Sequence, residues 1–135
     1  MSAKENKAIV CQLVEDLFNT GNLDIVEEVF ADSYTDPSSS HPHLSGRENV
    51  KQSVAEWLTA FPDTVSVAQN VIAEGDKIAV RWITQATHQG EFLSVPPTYN
   101  HINVTWFDIF RLSEGKIIES WDTFNVAEMT EQLKG

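Results

Sequence analysis

The period of the apolar side chains changes at Pro62, and this change constrains the fold more than any other feature of the sequence. Before Pro62, apolar residues recur at helical spacing in three segments; after it they alternate, as in strands with one buried face. The predicted helices are residues 4–19, Leu23–Phe30 and Arg47–Phe61. Pro62 ends the third helix because proline cannot continue helical hydrogen bonding. Gly21 lies where a helix C-cap is expected.

Four strands and a short closing helix are predicted after Pro62. The strands are Val65–Ala73, Lys77–Thr87, Ile102–Leu112 and Lys116–Asn125, and the helix is Val126–Leu133. Asp32–Gly46, rich in Pro, Ser and Gly, and residues 88–101 are predicted to be loops. Three helices followed by antiparallel strands indicate an α+β fold with the helices on one face of the sheet. A strongly bent sheet under such helices leaves a cone with an internal pocket for a small ligand.

The charge and the cysteine content narrow the function classes. The 135 residues include 9 Lys and Arg against 20 Asp and Glu, a net charge of −11. The basic residues are scattered, which disfavours nucleic acid as a partner. No apolar run reaches the length of a spanning helix, and the N-terminus does not look like an export signal. The single Cys11 excludes an internal disulfide and is expected to be an inert packing residue in the body of a helix. We therefore expect one cytoplasmic domain, residues 1–135.

The turn at residues 113–116 sets the pairing of the last two strands. If this turn contains a glycine bulge, Asp122 lies opposite Trp106 and Asp108 lies opposite Ser120. The face that carries both carboxylates then also holds Val104, Phe110, Ile118 and Phe124, and the other face holds Phe107, Ile109, Glu119 and Trp121. A two-residue turn would instead place the two aspartates on opposite faces.

Asp108 and Asp122 are the candidate acid/base residues. Burial among apolar neighbours raises the pKa of a carboxyl group, and two such groups close together raise one of the two pKa values further. A fold obtains in this way a general acid or base that works near neutral pH without a metal. The alternative is that both aspartates are solvated on the outer face or form structural ion pairs with Arg111 or Arg81.

Other polar and aromatic side chains have structural interpretations beside functional ones. His41 and His43, near Asp36, lack further metal ligands and are expected to be ordinary loop histidines. His88 is interpreted either as an acid/base or hydrogen-bonding group at the pocket mouth, or as an ordinary residue at a strand end. The tryptophans are expected to fill the core, with one or two lining a pocket for a flat, apolar ligand. They are Trp57, Trp82, Trp106 and Trp121.

Three segments of the chain resemble a known family. FPD at 61–63, THQGEFLSVPPT at 87–98 and DIFRLSEGKIIESWDTFN at 108–125 are similar to the SnoaL-like polyketide cyclases, or ester cyclases, of the nuclear transport factor 2-like superfamily. The predicted order of helices, loop and strands matches that family over nearly the whole chain. The resemblance implies an NTF2-like cone of helices on a curved sheet, a homo-oligomer, commonly a dimer, formed through the outer sheet face, and no metal or other cofactor.

The resemblance also implies roles for individual residues. In these cyclases, the aspartate that matches Asp122 is the acid/base of an intramolecular aldol ring closure. They carry a histidine where Asp108 stands here; a protonated Asp108 would act as a hydrogen-bond donor beside Asp122. The expected substrate-binding residues are His88, Trp82, Trp106, Phe110, Phe124 and Trp57.

Three hypotheses for the function follow from these residues and the resemblance. The first is a cyclase that acts on a small apolar carbonyl compound. The second is a non-catalytic module that binds a small ligand in its cone or docks a partner. The third is an isomerase or dehydratase that uses the same aspartate as its acid/base.

Overall fold

The helices begin and end at residues whose chemistry sets those boundaries. The structure, a computed structural model, describes residues 2–35 and 45–135. The helices are α1 (Ala3–Val14, continued by a π-helical turn at Glu15–Asn19), α2 (Ile25–Val29), α3 (Gly46–Ala60) and α4 (Val126–Lys134). Both α1 and α3 start with a capping box, Ser2 with Glu5 and Ser45 with Glu48. Gly21, at φ +73°, follows the π-helical turn, as predicted for a C-cap region. None of the described helices is long and apolar enough to cross a membrane.

Within residues 2–35 and 45–135, five strands form one curved, open sheet, one strand more than the sequence predicts. They are β1 (Phe30–Thr35), β2 (Val65–Glu74), β3 (Lys77–Thr87), β4 (His101–Ser113) and β5 (Lys116–Phe124). Their order in the sheet is β1-β5-β4-β3-β2, in which β1 runs parallel to β5 and the other neighbours are antiparallel. The predicted loop at Asp32–Gly46 is therefore wrong up to Thr35, because pairing with β5 orders a segment whose own composition favours a loop.

The core lies between the helices and the inner face of the sheet. On β3 the buried residues alternate as predicted, with Ile78, Val80, Trp82 and Thr84 turned inward. One apolar cluster joins α1, β1 and the middle of the sheet, and a second joins the end of α3 to α4. Trp106 packs against both clusters. Cys11, expected inside, is exposed, so that prediction is wrong.

A two-residue turn and a bulge set the register of β4 and β5. Glu114 and Gly115 have φ values of 52° and 78° and form the turn, a geometry typical of tight hairpins. The predicted glycine bulge in the turn is wrong. The extra residue lies instead on β5 at Ile118, opposite the step between Arg111 and Leu112.

The bulge decides which face of the sheet each aspartate occupies. The two-residue turn alone would put Asp108 and Asp122 on opposite faces, and the extra residue on β5 returns them to the same face. Asp108 lies directly opposite Asp122 and not opposite Ser120, and Trp106 lies opposite Phe124. The predicted pairing is wrong by two residues, whereas the prediction that both carboxylates share one face is confirmed.

Candidate active site

A cavity of about 420 Å³ lies between the helices and the inner face of the sheet. This volume is within the range of roughly 300–1,000 Å³ that is typical of small-molecule sites. α1 and its π-helical turn, β1 and α3 form part of its wall, and strands β3, β4 and β5 form much of the rest. Most of the lining is apolar, with a few carboxyl, hydroxyl and amide groups. The pocket that the sequence predicts under the bent sheet is therefore present.

Both candidate carboxylates, Asp108 and Asp122, line this cavity from neighbouring strands. Asp108 is half-buried and Asp122 is exposed, which places Asp122 where the cavity meets solvent. The alternative in which both aspartates lie on the outer face is wrong. Arg111, considered as an ion-pair partner, is bonded to Glu119.

A pair of buried hydroxyl groups lies on the same cavity wall. The Tyr34 hydroxyl is 2.5 Å from the Ser120 hydroxyl, and both residues line the cavity. Ser120 is on β5, on the same face as Asp122, and Tyr34 comes from β1. Sequence reasoning missed Tyr34 because it assigned the end of β1 to a loop; only the parallel pairing of β1 with β5 brings the two hydroxyls together.

The aromatic side chains expected to bind substrate come together at the cavity, with the exception of His88. The five that line it are Trp57, Trp82, Trp106, Phe110 and Phe124. Trp106 packs on Phe124 with ring centroids 4.1 Å apart and meets Trp57 edge to face at 5.3 Å. Trp121, expected in the core, is exposed on the opposite face, so that prediction is wrong.

His88 does not line the cavity but is fully buried at the end of β3. Its Nδ1 is 3.0 Å from the Thr98 hydroxyl and accepts a hydrogen bond from the Thr98 backbone N–H at 3.3 Å. Its backbone N–H donates to Asn100, and its carbonyl accepts from Tyr99. The structure therefore supports the strand-end interpretation, in which His88 holds the segment that contains Pro96 and Pro97 onto the sheet.

The other segments that carry the family resemblance join the end of α3 to the end of β3. Asp63 accepts a hydrogen bond from the Thr87 backbone N–H at 2.8 Å. Burial by itself raises the pKa of Asp63, but hydrogen bonds from Thr87 and from the Asp63 backbone, together with the nearby His101, outweigh burial and lower this pKa. Gly90 lies against the end of α3, where an added Cβ would come within 2.8 Å of the Thr59 carbonyl oxygen. Asp63, Thr87 and Gly90 thus hold the end of β3 against the end of α3 and do not line the cavity, whereas Phe92 of the same segment does.

The residues considered as metal ligands, Asp36, His41 and His43, lie outside the described residues. Within the described ranges, no three His, Cys, Asp or Glu side chains come together in a group that could hold a metal ion.

A comparison with models of known protein families shows to which family the chain belongs. The family model of the SnoaL-like polyketide cyclases matches residues 8–133. The chain belongs to this family. It is therefore a small protein of the cyclase type. Its membership of the family explains the similarity of residues 61–63, 87–98 and 108–125 to these cyclases.

Solved structures of similar proteins share its NTF2-like α+β cone. AclR from Streptomyces galilaeus, provisionally described as a hydroxylase, is 27% identical, with 98% of each chain covered and a TM-score of 0.84. IdmH from Streptomyces antibioticus, provisionally described as a polyketide cyclase, is also 27% identical, with 96% of this chain and 99% of IdmH covered and a TM-score of 0.82. TsrD from Streptomyces laurentii is 19% identical over 98% and 97% of the two chains, with a TM-score of 0.89, and shows the fold alone. A search of curated proteins found no match.

Proposed function

We propose that this SnoaL-like protein closes a ring in a small apolar carbonyl compound by an intramolecular aldol reaction. The observation that carries the proposal is the placement of Asp108 and Asp122 directly opposite each other, both lining a cavity with a mainly apolar wall. Family membership supports a cyclase-type reaction. Two carboxyl groups in different environments provide an acid and a base in one site.

In the proposed reaction, Asp122 is the general base and then the general acid. Its carboxylate takes a proton from a carbon next to a carbonyl group, and the electron pair of that C–H bond forms the enolate. The enolate carbon attacks a second carbonyl carbon of the same molecule and forms a C–C bond, while the second carbonyl becomes an alkoxide. Asp122 returns its proton to this alkoxide, so the atoms and electrons balance without an oxidant or reductant.

Asp108 is the proposed partner that stabilises the enolate. Like charges directly opposite each other on neighbouring strands repel, and a proton on Asp108 removes that repulsion. The protonated carboxyl group then donates a hydrogen bond to the enolate oxygen, where negative charge develops. The hydroxyls of Tyr34 and Ser120 are further polar groups on the same cavity wall.

The aromatic wall supports this chemistry in two ways. Flat rings from Trp57, Trp82 and Trp106 offer a surface for a planar, apolar ligand. An apolar wall also displaces water from the ligand, and the electrostatic interaction of the ligand with the half-buried Asp108 strengthens where water is excluded.

Proton abstraction can be tested directly by hydrogen exchange. The wild type should speed deuterium incorporation from D₂O into 1-tetralone, an apolar aromatic ketone, and Asp122→Asn should lower the catalysed rate by about 10²–10⁴-fold, the usual contribution of a general base. Asp24→Asn is the matched control, because Asp24 is exposed and its side chain makes no capping hydrogen bond. Equal rates for wild type and Asp122→Asn would reject Asp122 as the base.

A second substrate separates ring closure from the other hypotheses. 1-Phenylhexane-1,5-dione can close to a six-membered ring by an intramolecular aldol reaction, and we expect the wild type to accelerate this closure. Exchange in 1-tetralone without ring closure would favour an isomerase or dehydratase. Binding of both ketones without exchange or closure would favour a non-catalytic module.

We also propose that two copies of the chain associate through the outer face of the sheet. This face exposes large apolar side chains from three strands, which a monomer rarely leaves open to water. They are Val65, Val67, Ile72, Phe107, Ile109 and Trp121. Sedimentation should show a dimer for the wild type and a monomer for Phe107→Asp, with Ala8→Asp, on the exposed side of α1, as a control for the added charge. A monomeric wild type at high concentration would overturn this proposal.

A further inference from the structure

Three residues of the cavity wall also border a groove on the surface of the protein. The groove lies between α1, with its π-helical turn, and strand β2, which stands at one end of the sheet order. Val14, Ser66 and Trp82 line both the groove and the cavity. A residue that borders two spaces lies between them. These three residues therefore form a wall between the cavity and the groove, and we call this wall the partition.

The partition is closed by packed side chains. Val14, Ser66 and Trp82 are only 7%, 8% and 5% exposed, so most of the surface of each contacts other protein atoms. Trp82, the largest of the three, packs in the apolar cluster that joins α1, β1 and the middle of the sheet. Interior side chains pack as densely as organic crystals and leave few gaps. The cavity and the groove are therefore separate spaces.

Hydrogen bonds hold the partition in place from both sides. Asn19, the last residue of the π-helical turn, donates from Nδ2 to the Ser66 carbonyl at 3.1 Å, and its Oδ1 accepts from the Ser66 backbone N–H at 2.8 Å. The Ser66 hydroxyl is 2.7 Å from the Thr84 hydroxyl on β3. π-Helical turns are rare and often occur at functional sites. This one ties α1 to β2, so the partition is a preorganised part of the cavity wall.

The partition lies to one side of the two carboxyl groups. Asp122 is on β5 and Asp108 on β4, whereas Trp82 is on β3 and Ser66 on β2, in the sheet order β5-β4-β3-β2. Trp82 is therefore about two inter-strand spacings, roughly 10 Å along the sheet, from Asp122. A ligand whose carbonyl group faces the carboxyl groups can extend toward β2 only as far as Trp82.

We propose that Trp82 is a specificity-determining residue that limits how far an apolar substituent of the substrate reaches from the carboxyl groups toward β2. This inference deepens the proposed function and rests on it for the carbonyl: the substrate class becomes an apolar carbonyl compound without a long chain on this side. A longer chain must force the packed wall apart, which is unfavourable, or remain in water, where its methylene groups add nothing to the affinity.

Removal of the Trp82 ring should join the cavity to the groove. Part of the groove is lined by Val65, Val67 and Ala68, which offer apolar surface to a chain that passes the partition. Trp106 provides a matched control. It lies directly opposite Trp82 on β4 and lines the cavity but not the groove. Trp106→Ala therefore enlarges the cavity by the same side chain without opening a passage to the groove.

The first test measures how affinity depends on chain length in phenyl ketones, from acetophenone through butyrophenone to decanophenone. Equilibrium dialysis gives each Kd without relying on tryptophan fluorescence, which the substitutions alter. In the wild type the affinity should rise by up to about fourfold per buried methylene and then stop rising within the series. In Trp82→Ala the rise should continue, so that the ratio of the butyrophenone Kd to the decanophenone Kd exceeds the wild-type ratio by about tenfold or more. The ratio for Trp106→Ala should lie severalfold below that for Trp82→Ala.

A second test detects the chain in the groove itself. Cys11, the single cysteine of the sequence, is exposed and lines the groove. Decanophenone bound to Trp82→Ala should slow the reaction of Cys11 with a maleimide, whereas butyrophenone should not. In the wild type and in Trp106→Ala, neither ketone should slow this reaction, because the partition keeps the chain out of the groove.

The outcomes separate this inference from the proposed function. An affinity that rises through decanophenone in the wild type, equal ratios in Trp82→Ala and Trp106→Ala, or no protection of Cys11 in Trp82→Ala would each overturn the role of Trp82. If Trp82→Ala does not fold, Trp82→Leu with Trp106→Leu as its control replaces it, with the same order of ratios. Binding does not require the base, so Asp122→Asn should keep the wild-type length limit. A limit set by Trp82 together with normal exchange in Asp122→Asn would reject the mechanism alone, and loss of exchange in Asp122→Asn without such a limit would reject the role of Trp82 alone.

Discussion

Gly46→Ala tests the close packing of the start of α3 against Tyr34 on β1. In a helix, alanine is normally the more favourable residue by about 1 kcal/mol, because glycine loses more backbone entropy. In this structure, however, the added Cβ would lie 2.7 Å from Cδ1 and 2.9 Å from the carbonyl carbon of Tyr34, and closer still to the carbonyl oxygen. The two effects have opposite signs.

The steric effect should win. Overpacking costs about 1–3 kcal/mol and occasionally more, and the upper end applies here because the obstacle is backbone that cannot rotate away. After subtraction of at most about 1 kcal/mol for helix propensity, Gly46→Ala should destabilise the protein by about 2 kcal/mol or more. For a chain of this size that corresponds to a fall in melting temperature of roughly 6 °C or more.

Urea denaturation of the wild type and Gly46→Ala measures this difference, with Gly75→Ala as the control. A Cβ at Gly75 meets nothing within 4 Å, so the only cost there is the positive φ of 61°, about 1–2 kcal/mol. Displacement of the α3 start should also raise the KM for any cavity substrate, since Asn49 and Val50 at this end of α3 line the cavity. A Gly46→Ala variant as stable as the wild type, or more stable, would refute the close packing of α3 on β1.

Two further predictions concern the residues around the end of β3. The lowered pKa of Asp63 means that its carboxylate stabilises the fold above the ordinary carboxyl pKa and that this contribution disappears as pH falls through the lowered value. Asp63→Asn should therefore lower the free energy of unfolding at pH 7 but not at strongly acidic pH, and identical differences at both would contradict the Thr87 hydrogen bond as its source. His88→Leu leaves the Thr98 N–H without its acceptor and should cost about 1–3 kcal/mol of stability without changing the pH profile of ketone exchange. A changed pH profile of ketone exchange would indicate that His88 takes part in the reaction.

Local patterns were sufficient to predict most of the elements. β3 was predicted with its observed bounds because its alternation is regular and Gly75 marks the preceding turn. Gly46–Ala60 differs from the predicted third helix by one residue at each end, since Ser45 and Glu48 mark its start and Pro62 follows its end. In these segments, propensity, period and capping chemistry all agree.

Elements that form only by pairing with distant segments of the chain were not predicted from the sequence. β1 has a parallel partner, β5, that lies far away in the sequence, and its own residues show little alternation. The bulge at Ile118 has no local signal that separates it from a bulge in the turn, and one residue of difference decides the face of every later side chain on β5. For Asp122 the predicted face was correct although the predicted register was wrong.

The sequence by itself determined the class of fold, the family, and which two aspartates are the candidate acid/base residues. These depend on the period of the apolar residues and on motifs made of residues close together in the sequence. Only the tertiary structure decided that Asp108 faces Asp122, that Tyr34 meets Ser120 and that His88 supports the sheet end. The physical reason is common to all three: each depends on contacts between residues that are not neighbours in the sequence, and such side-chain pairing is set by packing and register rather than by local propensity.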